Sequence, residues 1–139
     1  METILNFCEE HRNQEQGNTF ALDFRGDIDF RNAEIELSSF NIFSTYNKGD
    51  KIHISCSMRK NNVFTDYVLL GSIDITEDLD RYWGARLFSF DKKKKNSVPI
   101  PDGIYDGLKI TLHDGHFKDL HIVKNNTETF GLVRIIIPT

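Results

Sequence analysis

The residues that could do chemistry fall into four groups. The first is the run His113-Asp114-Gly115-His116-Phe117-Lys118-Asp119-Leu120-His121. Histidine and carboxylate are metal ligands, and a hairpin can bring ligands from its two arms together. Asp114-Gly115 is a turn signal between two alternating runs, Leu108, Ile110, Leu112 and Leu120, Ile122. A three-residue loop through His116 sets Ile110 opposite Leu120 and keeps one apolar face. His113 and His121 then share the outer face, with Asp119 between them in sequence, and a metal-assisted hydrolase would use these three. Solvated histidines at a hairpin tip explain the same letters, and no metal is expected.

The second group is Asp74, Glu77, Asp78, Asp80, Tyr82 and Trp83. Paired carboxylates can do acid–base work on a sugar, and aromatics can stack on it. The same set can dock on a basic protein surface, with Tyr82 and Trp83 as anchors and the carboxylates steering association. These six residues are the expected partner-binding site. The third group is Lys92–Lys95, which could contact phosphates. It lacks interleaved aromatics and reads as a solvated loop.

The fourth group is the nucleophiles. No Gly-x-Ser-x-Gly elbow occurs, and neither phosphate- nor dinucleotide-binding glycine pattern is present. The spacing of Cys8 and Cys56 matches no zinc or redox motif. They read as two small buried thiols in a reducing compartment. No catalytic residue, no cofactor and no enzymatic activity are therefore expected.

The elements that must position these groups are mostly strands. Ile4, Leu5, Cys8 and His11 recur at helical spacing, so residues 3–15 are expected as one N-terminal helix, capped by Thr3 and ended by Gly17. Thereafter the period is two. Phe20, Leu22, Phe24, Ile28 and Phe30 form one strand, or two joined near Gly26. Ile35, Leu37, Phe40 and Ile42 continue the series. Ile52, Ile54 and Cys56 make a strand with His53 and Ser55 on its other face. Lys60-Asn61-Asn62 is a turn. Val63–Ile75 is strand-forming, with a bulge or bend at Gly71. Residues 76–82 read as a short helical turn, and Leu132–Ile137 as a final strand that is central or covered on both faces. The fold class is mainly β (β-rich α+β): an antiparallel β-sandwich or strongly curved sheet with one N-terminal helix, in a single domain over 1–139.

Composition narrows the function. The 139 residues can bury a real core, and 11 of them are Phe. The net charge is −4, with 16 acidic and 9 basic side chains before residue 92 and 5 acidic and 8 basic from there on. This argues against nucleic acid or an anionic membrane as the main partner. The start lacks a basic segment followed by an apolar run, so the cytoplasm is the expected location. The leading expectation is a non-catalytic protein-binding domain. More specifically, it is a small acidic stoichiometric inhibitor, such as an immunity protein neutralising a basic nuclease toxin. The alternative is a carbohydrate- or small-ligand-binding sandwich in which Tyr82, Trp83 and Tyr105 stack on the ligand.

Overall fold

Period-two alternation governs nearly every segment of the computed structural model, which describes residues 2–11, 18–43, 49–74, 85–89, 97–118 and 130–138. The strands are β1 (Glu2–Phe7), β2 (Thr19–Phe30), β3 (Glu34–Phe43), β4 (Lys51–Lys60), β5 (Val63–Phe64), β6 (Val68–Asp74), β7 (Ala85–Ser89), β8 (Val98–Pro99), β9 (Gly103–His113) and β10 (Phe130–Ile136). Every pairing is antiparallel. The first sheet runs β1-β10-β3-β7, with β8 also on β3. The second runs β2-β9-β4, with β5 and β6 both on β4. The protein is an all-β two-sheet sandwich.

The expected N-terminal helix does not form. Residues 2–7 are strand β1, paired with β10 from Glu2↔Ile136 to Phe7↔Gly131. One 3-10 turn, Glu9–His11, follows it, and there is no α-helix among the described residues. The helical reading left Phe7 out of its apolar set. As a strand, the segment sends Phe7 fully into the core, where its ring lies 5.2 Å from that of Phe20 and 6.2 Å from that of Phe40. Burying one such ring is worth about 1.5–3 kcal/mol, more than a short polar helix gains by itself. The expected helical turn at 76–82 lies outside the described residues.

Among the described residues the alternating strands form as their spacing implies, with three bulges, while the expected strand through Leu120 and Ile122 lies outside them. In β2 the register shifts between Asp23 and Ile28, around Gly26 at φ +93°. Ser38 is the extra residue where β3 slips against β10, which moves the inward parity from Leu37 to Phe40. Leu70, beside Gly71, is the extra residue of β6 against β4. Both sheets contribute to one core, including Phe7, Phe40, Leu37 and Val133 from the first and Phe20, Phe30, Ile54 and Leu108 from the second.

Candidate functional site

Strand β4 is covered on both faces, and the second cover creates the site. Ile52, Ile54, Cys56 and Met58 point into the sandwich. His53, Ser55 and Ser57 point away from it, yet all three are also buried. Two aromatic side chains from elsewhere in the second sheet lie over them.

The first is Tyr67. Asn61 and Asn62 have φ of 50° and 64°, the backbone of a type I′ turn, for which Asn is well suited. This turn folds β5 back on β4. The returning chain then spends one residue more than β4 between the pairs Arg59↔Phe64 and Cys56↔Val68. Thr65 anchors the excursion: its N–H donates to Met58 O at 2.9 Å, and its Oγ1 accepts from Met58 N–H at 3.0 Å. Small serines at 55 and 57 let the Tyr67 ring reach across β4 to β9. There it stands edge-on to the His113 ring at 5.6 Å. Lys109 Nζ sits 4.2 Å from the Phe64 ring centre and 5.3 Å from that of Tyr67, within cation–π range.

The second is Phe117. The chain reverses after β9 through Gly115-His116-Phe117, closed by Asp114 N–H to Lys118 O at 2.8 Å and Phe117 N–H to Asp114 O at 3.0 Å. The loop has the three residues that the apolar alternation requires, but it sits one residue further along than the sequence suggested. Asp114 Oδ1 accepts from the N–H groups of Lys118 and His116, at 3.0 and 2.8 Å. These bonds, the one from Lys118 foremost, hold its carboxyl below the usual aspartate range. Phe117 takes φ +59° and lays its ring flat on His53, with centres 4.0 Å apart and planes within 6°.

Beneath these rings is a polar floor. Ser55 Oγ and His113 Nε2 share a hydrogen bond at 2.9 Å, and His53 Nδ1 and Ser72 Oγ share one at 2.6 Å. A serine–histidine pair at that distance is the geometry of an activated nucleophile. Ser55, however, is only 3% exposed, so its hydroxyl is closed to a substrate. Cys56 faces the core, where burial pushes its thiol up to about 12, and it is inert as a nucleophile. At the far end of β4, Arg59 donates to Asp106 Oδ1 at 2.8 Å and pairs with Asp23, while Asn61 N–H donates to Asp106 Oδ2 at 3.0 Å. This clamp fixes the type I′ turn to β9 and β2.

What remains accessible is apolar and mostly aromatic. Phe64, Tyr67, Leu69 and Phe117 are 40, 53, 44 and 58% exposed. Contacts run from Phe64 through Lys109, Tyr67 and His113 to Phe117 and His53. The rings therefore form one arc across the sheet, already held in place.

Of the residues expected to bind a partner, Asp74 is described: it ends β6 and lies 3.7 Å from Lys51 Nζ, both side chains well exposed. Glu77, Asp78, Asp80, Tyr82 and Trp83 lie outside the described residues, as do Lys92–Lys95, Asp119 and His121. His113 is on the outer face of its sheet as expected, but it is a buried part of the floor. Tyr105, expected to stack on a ligand, is instead a core residue whose hydroxyl donates to Pro101 O at 2.7 Å. The sequence reading placed His53 and Ser55 on the second face of β4, and it missed Phe64, Tyr67, Lys109 and Phe117. The available signal was three large aromatic side chains, Phe64, Tyr67 and Phe117, in or near two turns, where a hairpin ordinarily carries polar residues.

No family model and no curated protein matches the sequence. Among solved structures, the chain is similar to one described as the structure of infectious bursal disease virus Gx strain. The two share 8% identity over 98% of this chain and 32% of that one, with a TM-score of 0.43. It is also similar to the VP2 subviral particle of infectious bursal disease virus, again at 8% identity over 98% of this chain and 33% of that one, with a TM-score of 0.26. The chain spans about a third of the length of each, and superposition this loose carries no inference about its role.

Proposed function

We propose that this is a non-catalytic protein-binding domain that seats its partner on the outer face of the second sheet. The observation that carries this reading is the exposed arc of Phe64, Tyr67 and Phe117, pinned by Lys109, His113 and His53. Exposed aromatic surface is unfavourable in water, and a contiguous patch of it commonly marks an interaction site. Rings already fixed by stacking lose little freedom on binding, and aromatic anchors of this kind dominate interface energies.

The finer proposal is a small stoichiometric inhibitor, such as an immunity protein for a basic toxin. Its support is the net charge of −4 and the acidic segment that begins at Asp74. Asp74 pairs with Lys51, and a Cβ on Gly115 would stand 3.5 Å from Lys51 Cβ. Asp74, the last residue of β6, therefore lies near the turn that carries Phe117. Carboxylates would steer a basic partner toward the aromatic arc.

The test compares the wild-type chain with a Tyr67→Ser/Phe117→Ser double variant, both confirmed folded by circular dichroism. Each is used to capture partners from the source cell, and affinities are then measured with the purified partner. The expected result is one stoichiometric partner whose affinity falls at least tenfold in the double variant. Equal affinity for both chains overturns the proposed face. A partner whose toxicity is not relieved by co-expression overturns the inhibitor class alone.

A further inference from the structure

A second feature sits in the 3-10 turn that follows β1 and lies against β2. Cys8, Glu10 and His11 each bring one ligand atom to within 4.8 Å of the other two. The turn is closed by His11 N–H donating to Cys8 O at 3.0 Å. The Cys8 amide N–H donates to His11 Nδ1 at 3.1 Å, which turns that nitrogen toward the sulfur, and Cys8 Sγ lies 3.6 Å from it. A tetrahedral ion with Zn–S of about 2.3 Å and Zn–N of about 2.0–2.1 Å separates its sulfur and nitrogen ligands by about 3.6 Å. The two side chains thus already stand at the spacing of a shared ion. Glu10 Oε1 is 3.9 Å from His11 Nε2, the ring nitrogen other than the one that faces the sulfur. The Glu10 side chain is 79% exposed, so it can swing the remaining distance inward without disturbing any packing.

We propose that Cys8, Glu10 and His11 form a binding site for a divalent ion of the zinc class. One thiolate, one imidazole and one carboxylate make a borderline donor set that suits Zn²⁺ and disfavours Mg²⁺ and Ca²⁺, which take oxygen ligands. Three protein donors leave a fourth tetrahedral position for water or an external ligand. On binding, the Cys8 thiol gives its proton to solvent and the sulfur donates its electron pair to the ion. The His11 Nδ1 lone pair exchanges the Cys8 N–H for the ion. All three ligands lie within four residues, so the ion requires no change in the strands.

The test is titration of the full chain with Co²⁺, which reports thiolate coordination by a ligand-to-metal absorption band in the near ultraviolet. The wild type is expected to bind one Co²⁺ with that band, to lose it on addition of equimolar Zn²⁺, and to melt at a higher temperature with Zn²⁺ present. Cys8→Ser should abolish the band. His11→Gln should weaken binding at least tenfold, and Glu10→Gln by less. His116→Gln, at an exposed histidine in the turn after β9, should change nothing. All four positions lie in turns, and melting without added metal checks that each variant is folded. Wild-type protein that shows no thiolate band, or an affinity shared equally by His11→Gln, overturns the site.

Discussion

Two serines determine what the second sheet can display. With Ile or Phe at 55 or 57, the Tyr67 ring would have no room to cross β4, and the arc over His113 and His53 could not assemble. Their position was legible, because Ile52, Ile54 and Cys56 fix the opposite face of the strand. The cover over them was not, since Tyr67 and Phe117 arrive from two separate turns whose geometry depends on positive φ at Asn61, Asn62 and Phe117. The Phe117 turn also depends on pH through Asp114. Its folded carboxyl titrates below the unfolded value of about 3.9. The stabilisation is therefore complete above that value and disappears as pH falls through the lower folded one. In an NMR titration, the amide protons of His116 and Lys118 should shift together with that depressed midpoint, and the Phe117 ring-current effect on His53 should fade over the same range. Movement of these signals at the midpoint of a free aspartate would contradict this account.

At the scale of the element, β1 shows how a spacing argument fails. Ile4, Leu5, Cys8 and His11 satisfy a helical period, and Thr3, Leu5 and Phe7 satisfy a strand period equally well. In so short a segment the choice falls to tertiary packing, and the aromatic cluster of Phe7, Phe20 and Phe40 decides it. The later strands were legible because their alternation is longer and their turns carry Asn and Gly. The nearness of Cys8 and His11 was legible even so, because a helix and a 3-10 turn both bring residues three apart onto one side. Packing at β1 is tight enough to test. Gly131 faces Phe7 in the β1–β10 register, and a Cβ there would meet Phe7 Cε1 at 2.6 Å and Ser39 O at 2.9 Å. Gly131→Ala should destabilise the protein by about 1–3 kcal/mol, the usual cost of overpacking a filled core. Denaturant melts read this directly, and a loss under about 0.5 kcal/mol would show that β1 can move aside.

Over the whole molecule, both sheets fill one core, the second sheet carries the covered polar floor with its aromatic arc, and the Cys8–Glu10–His11 turn after β1 lies against β2. The sandwich itself was legible from alternation and turn signals, whereas the surfaces depend on which distant side chains meet. The pairing of β1 with β10 has a topological consequence. Glu2 and Ile136 face each other in that ladder, so the two ends of the sandwich stand about one strand spacing apart, roughly 4.8 Å. A short linker can join them, and the chain can be reopened between the exposed residues Arg31 and Asn32, since β2 and β3 belong to different sheets and share no ladder. In such a circular permutant, the pairing most distant in sequence becomes a neighbouring hairpin. Its refolding, followed by stopped flow, should be faster than that of the parent, because folding rates rise as contacts become more local.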